Sequence, residues 1–278
     1  MKPGAFPGQN GAKRVWAYLK SYMAPVGLVL LLLSLWELAS WHWQIPIWLL
    51  PAPSQIVLAA AASQTIMWPH IWQTLLETWL GLALALFAGV ALAVIIDMSA
   101  VLRRAIYPLL VVSQTVPIIA IAPLLVIWLG YGILPKILVV ALVCFFPIVI
   151  STADGLKSTD PDLIALLRTM GATRGQIFVK VRGPGALPAF FSGLKIAITY
   201  SVVGALIGEW VGASRGLGVF MLRASNSFRT DWVFAAIGVV SLLSIALFMA
   251  VSIVERLALP WYYSAARQEQ WEEISYIE

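Results

Sequence analysis

The sequence predicts an all-α, polytopic membrane domain of about six transmembrane helices, with both termini in the cytoplasm. Three observations carry that reading: an unusually apolar composition, a series of apolar runs of bilayer length, and a lopsided distribution of basic residues. Apolar residues make up 61% of the 278-residue chain and charged residues only 11%. A soluble domain is typically about 45–50% apolar and about 25% charged, so the soluble class is excluded. The single cysteine, Cys144, lies inside an apolar run and reads as a buried, inert thiol with no disulfide framework around it. A net charge of +5 could suggest nucleic acid, but in a membrane protein it reflects basic cytoplasmic loops, and no nucleic-acid partner is expected.

A bilayer core of about 30 Å needs roughly 20 helical residues. Apolar runs of that kind span about 25–43, 71–96, 105–129, 134–152, 187–211 and 232–259. The first run is long for a signal-peptide core, and Ser40-Trp41-His42-Trp43 is no small-residue cleavage site, so a retained span is expected. The third run carries Pro108, Pro117 and Pro123, which predict kinks or a break. Residues 1–24 and 266–278 read as polar cytoplasmic tails around a transmembrane domain over 25–265.

With the N-terminus inside, the inner segments hold thirteen Lys and Arg residues and the outer loops four, Lys136, Arg215, Arg223 and Arg229. This bias fixes the expected orientation. Two connections are more than linkers. Residues 45–70 form an apolar, proline-rich outer loop with Trp48 and Trp68 suited to the interface. The inner stretch 153–186 starts a helix at Asp160-Pro161-Asp162, stops it at Gly171, and starts a second at Thr173 that runs through Lys180. Pro184 and Pro188 should break the chain before the fifth span. The result is an amphipathic, basic helix–glycine–helix loop at the membrane surface.

Enzyme signatures are missing. There is no His-Glu-x-x-His, Gly-x-Ser-x-Gly or Cys-x-x-Cys, and His42 and His70 have no companion ligands in sequence, so no catalytic, metal or cofactor site is expected. Gly155-Leu-Lys157-Ser158 looks like the tail of a P-loop, but Ile150 stands where the earlier glycine is required. Intramembrane carboxylates are costly and often functional. Glu209, among Gly204, Gly208 and Gly212, is a candidate for a translocation pathway or a pairing partner of Arg215; Glu37 and Glu77 read as structural or interfacial. Gln114, Thr115 and Pro117 form a polar patch at a helix-breaking proline, able to bond a solute or a neighbouring helix. Gly81, Ala85 and Gly89 mark a packing face.

The inner loop also resembles the Glu-Ala-Ala loop of permease subunits of ATP-binding-cassette importers. Gly171 and Pro184 hold that pattern's spacing and Val181 stands for its isoleucine, while Ala165-Leu166-Leu167 replaces Glu-Ala-Ala and Gly183 replaces its leucine. Leu50-Pro-Ala-Pro-Ser54 is similar to the signature of the sulfonate, taurine and nitrate permease branch. The stretches starting at Gln114, Gly130 and Gly208 look most like relatives importing thiamine precursors of hydroxymethylpyrimidine type, or riboflavin.

The resemblance implies type I importer architecture in a bacterial inner membrane, and an alternating-access permease for a small organic solute, with a pyrimidine-type thiamine precursor as the first choice. Aliphatic sulfonate, taurine, nitrate or riboflavin are the alternatives. Two ATPase subunits would hydrolyse ATP and dock on Leu163, Leu166, Leu167, Arg168, Met170, Gly171, Ala172, Thr173, Arg174 and Pro184. A second permease copy, a periplasmic or lipid-anchored solute-binding protein and membrane lipid would be the other partners. Competing readings are an intramembrane enzyme, which needs paired acid/base residues at one depth, and an ungated channel, which needs no ATPase.

Overall fold

The computed structural model describes residues 10–264; the C-terminal tail 266–278 and the first nine residues lie outside them. The regular structure of the described residues is helical: α1 (Asn10–His42), α2 (Pro53–Met98), α3 (Ala100–Ser113), α4 (Ile118–Leu129), α5 (Leu134–Lys157), α6 (Pro161–Thr169), α7 (Arg174–Ile177), α8 (Gly183–Trp210), α9 (Leu217–Asn226) and α10 (Thr230–Ala258). Five helical stretches among the described residues are long and apolar enough to cross a membrane, and α3 with α4 adds a sixth if the bent pair counts as one.

Several boundaries differ from the sequence reading, each for a local reason. The helix α1 starts at Asn10, within the stretch set apart as a tail, although its apolar span is Met23–His42. The outer loop expected over 45–70 ends at residue 52, because Pro53 starts α2 and the helix continues through Pro69. Proline fits a first helical turn, where its missing N–H is not needed, and the Gln55 side chain accepts the Ala52 N–H at 2.9 Å to close that end. The third run does break: α3 and α4 meet at 97° across Gln114–Pro117.

The expected break at Pro184 and Pro188 is absent. A π-helical stretch, Phe178–Arg182, joins α7 to α8, and the Gly183 N–H reaches the Phe178 carbonyl five residues back. That wider turn precedes Pro184, in the first turn of α8, and Pro188 lies inside the helix. The helix α9 was not foreseen, since its ten residues are too few for a span.

The fold divides into two compact units. The smaller contains residues 1–63 and 224–235. Within it Glu37 accepts the Ser54 N–H at 3.0 Å and the Ser54 hydroxyl at 2.7 Å. Trp36 packs edge-on against Phe234 at 5.7 Å.

The larger unit is built around α5. Its core joins Leu82 and Ala85 of α2, Val140, Cys144 and Ile148 of α5, Ala197 and Val202 of α8, and Leu247 of α10. Cys144 is buried and free. Glycines set the spacing. On α2, a Cβ at Gly81 would collide with Val140, and one at Gly89 would come within 3.0 Å of Ile148. On α8, a Cβ at Gly193 would lie 2.6 Å from Ser151, and one at Gly208 3.1 Å from the Lys136 Cα. The Gly81/Ala85/Gly89 face is therefore a packing face, and Gly204 and Gly208 serve the α5–α8 contact in the same way.

At the start of α5 lies a buried polar cluster. Glu77 and Glu209 are fully buried, and Lys136 Nζ stands 3.2 Å from Glu77 Oε1, which also accepts from Gln73 at 2.7 Å. Three consecutive residues where α9 begins are each held by a side chain. His70 Nδ1 lies 2.8 Å from the Gly216 carbonyl oxygen and 3.0 Å from its nitrogen, Leu217 donates to Thr74 Oγ1 (2.9 Å) and Gly218 to Glu209 Oε2 (2.6 Å). Thr74 in turn donates to Glu209 Oε1 at 2.6 Å. Helix starts leave such donors without partners, so these side chains tie α9 to α2 and α8.

Two outcomes follow. Gly193→Ala should overpack the α5–α8 contact and cost about 1–3 kcal/mol, whereas Gly27→Ala, with open space around its Cβ, should cost little. Thermal melting of the detergent-purified chain by size-exclusion recovery checks this, and equal melting of both would refute the close-approach account. Glu209→Leu should strand the buried Gly218 N–H and lower stability by about 1–3 kcal/mol; Glu209→Gln, which keeps an acceptor, should lose less.

Candidate functional site: the helix–glycine–helix loop

The site begins with local capping chemistry. Asp160 accepts the Asp162 N–H at 2.8 Å, and Pro161 occupies the first turn of α6. At the other end Gly171 adopts φ +85°, the Gly171 N–H reaches Arg168 O (3.0 Å) and the Ala172 N–H reaches Leu167 O (3.0 Å). That pair of bonds is a Schellman stop, which favours glycine at its left-handed position. Thr173 and Gln176 then form a reciprocal capping box, with Gln176 N–H to Thr173 Oγ1 at 3.3 Å and Thr173 N–H to Gln176 Oε1 at 2.8 Å. The turn between α6 and α7 is thus fixed by its own bonds.

No residue of α6 is buried. Leu163, Leu166 and Met170 are 40%, 56% and 75% exposed, and Leu167 is half-buried. Helical spacing puts these four on one face, leaving an apolar ridge without a cover. Arg168, Gly171, Thr173 and Arg174 are exposed around it, Ala172 and Pro184 half-buried. Of the ten loop residues named from sequence, Leu163, Leu166, Leu167 and Met170 share the ridge, Arg168 and Arg174 line a cavity against the end of α2, Gly171, Ala172 and Thr173 make the turn, and Pro184 sits in the first turn of α8.

The loop is pinned to the spans. Buried Ile177 anchors α7. Arg182 donates to Asp97 Oδ1 at 2.7 Å and to Leu156 O at 2.9 Å, while Arg103 lies 3.6 Å from the same Asp97 oxygen and donates to Ala153 O at 2.9 Å. Tyr107 adds a hydrogen bond to Asp154 at 3.1 Å. The ends of α2 and α5 and the start of α3 are therefore all linked here. The opposite charges of Arg103 and Arg182 were the one signal in the sequence that could have paired them with Asp97.

The remaining candidates lie elsewhere. Gln114, Thr115 and Pro117 are exposed at the 97° bend, where the Thr115 hydroxyl bonds locally to Val112 O at 2.8 Å. Glu209 is buried among Thr74, Glu77 and Gly218, and Arg215 is not its partner. Among the described residues no group of three or more His, Cys, Asp or Glu could hold a metal ion.

Comparison with known proteins gives this arrangement a family. The family model for the binding-protein-dependent transport system inner membrane component matches residues 81–259. The formylaminopyrimidine transport permease protein ThiX of Halalkalibacterium halodurans is 42% identical over 245 residues, covering 87% of this chain and 98% of its own. The riboflavin transport system permease protein RibX of Chloroflexus aurantiacus is 33% identical, with 85% and 89% covered. The taurine transport system permease protein TauC of Escherichia coli is 30% identical, with 89% and 92% covered. A solved structure of the MetNI methionine ABC transporter in an inward-facing form has the same fold, with a TM-score of 0.63 at 21% identity over 71% of this chain and 98% of that one. The chain belongs to the family of inner membrane components of binding-protein-dependent transport systems, and is a multi-pass permease subunit of an ABC importer.

Proposed function

We propose that this chain, paired with a second copy, forms the translocation pathway of an ATP-driven importer for a pyrimidine-type thiamine precursor. The observation that carries the mechanism is the uncovered apolar ridge of α6, on a loop that runs without a helical break into α8. A short apolar helix presented in this way suits a groove on a partner. Two ATPase subunits would each receive one loop, on the cytoplasmic side that the basic residues favour. ATP hydrolysis would belong wholly to those partners. A periplasmic or lipid-anchored binding protein would deliver the solute to the other membrane face.

Motion at the loop has a short route to the far side. The helix α8 is 28 residues long, about 42 Å at 1.5 Å per residue, and its last turn holds Glu209. A shift of α6 and α7 is thus carried by a continuous helix to the cluster that ties down α9. Gln114, Thr115 and Pro117, exposed at the bend, and Glu209 beyond them are the pathway candidates of this reading.

The solute assignment is supported by the 42% identity to a formylaminopyrimidine transport permease protein over nearly the full length of both chains. Riboflavin and taurine, named for the relatives at 33% and 30% identity, are the competing solutes.

Gly171→Asp should weaken co-purification with a co-expressed ATPase at least tenfold and abolish uptake, since both the left-handed turn and the apolar surface are lost. Intact association and uptake would remove the docking assignment. For the solute, uptake of a radiolabelled aminomethylpyrimidine by cells carrying the whole importer should be competed by its formyl derivative, and not by riboflavin or taurine. Competition by riboflavin or taurine instead would reassign the substrate.

A further inference from the structure

The same loop has a second face, turned away from the apolar ridge. Ile164 and Arg168, one turn apart on α6, point away from the Leu163/Leu166/Met170 ridge by helical spacing. Together with the last turns of α2 and the π-helical stretch they enclose a cavity of about 530 Å³. Its apolar walls are Val94, Met98, Ile164, Ile177, Phe178 and Val179, and its basic groups are Arg168, Arg174 and Arg182. Asp97 is the single acidic residue lining it. That carboxylate is already engaged by Arg182 at 2.7 Å and by Arg103 at 3.6 Å. Arg168 and Arg174 have no acidic partner among the described residues.

We propose that this cavity binds one anionic phospholipid, its headgroup phosphate held by Arg168 and Arg174 and its glycerol and upper acyl chains lying along Val94, Met98 and Val179. Charge complementarity names the headgroup: arginine pairs with phosphate through two parallel N–H groups, and two guanidiniums without an acidic partner among the described residues line this one cavity. Position names the tails. The cavity sits at the end of a membrane-spanning helix, and Met98 and Val179 of its lining are 77% and 69% exposed, apolar surface that acyl chains would cover. Basic pockets between spans at this depth are a recurring form of lipid headgroup site. A free anion would leave the apolar walls unmatched. The volume lies in the ~300–1,000 Å³ range of small-ligand sites.

The site rests on the reading that the α6 ridge docks the ATPase, and it draws on Arg168 and Arg174 from the residues first named for that docking; Val94 belongs to the cavity alone, so the two can be tested separately. The full-length chain in neutral detergent would be titrated with dioleoylphosphatidylglycerol, dioleoylphosphatidylcholine and inorganic phosphate, and bound lipid read by native mass spectrometry. Phosphatidylglycerol should bind saturably and at least tenfold tighter than phosphatidylcholine. Val94→Phe, which fills the cavity from α2, and Arg174→Gln, an exposed change tolerated by folding, should each weaken it at least tenfold. Equal binding of the two lipids, undiminished binding by both variants, or full displacement by millimolar phosphate would overturn the proposal. ATPase co-purification with Val94→Phe is read in parallel: lipid binding by the wild-type chain without any ATPase association would sink the docking reading and leave this one standing.

Discussion

Everything in the larger unit depends on how closely α8 can approach α5. Lipid offers no hydrophobic drive between helices, so their association rests on van der Waals contact and on polar groups that find partners. At Gly193 and Gly208 the α8 backbone lies almost against Ser151 and Lys136 of α5, and Gly155 of α5 returns the favour beneath Ala189. The contact thus extends from the loop end of both helices to the opposite end. With α2 seated against it through Gly81 and Gly89, α5 becomes a central post that α4 also touches, and Leu247 of α10 joins the same core.

Charge follows the same geometry. The buried or half-buried ion pairs join different helices: Asp97 with Arg182, Glu77 with Lys136, Lys195 with Glu255. A lone charge in this setting is expensive, so each partner holds the other in place and fixes the register of its helix. The first two pairs lie at opposite ends of the bundle. Lys136 opens α5 and Leu156, which accepts from Arg182, nearly closes it; the 24-residue helix spans about 36 Å, comparable to a bilayer core of about 30 Å.

What could be read from sequence was what depends on local chemistry. Apolar runs gave the spans, proline spacing gave the break between α3 and α4, and the Asp160, Gly171 and Thr173 signals gave the caps of the loop, since each acts within four residues. Boundaries at prolines were misjudged. Pro53 starts a helix and Pro184 sits in one, and only the neighbouring backbone, a free first turn or a π-helical stretch, decides which. The long-range pairings were illegible: His70, Thr74 and Glu209 meet at the start of α9 across more than a hundred residues of chain, and nothing in their spacing announces it. Glu209 stood out as costly, but its partners are the Gly218 N–H, which leaves no mark in a sequence, and the hydroxyl of the distant Thr74.

The π-helical stretch at Phe178–Arg182 keeps the phase of the helix as well as sparing a proline. Its turn closes over five residues where an α turn closes over four, so it takes up one residue more while the helices on either side keep nearly the same faces. One residue of an α-helix corresponds to a turn of about 100°. A residue added to or removed from the α-helical turns of α8 has no such outlet, and would swing the loop about a third of the way around the α8 axis. The stretch is thus the place where the connection between loop and spans absorbs a change of length, and the turns beside it are where it does not.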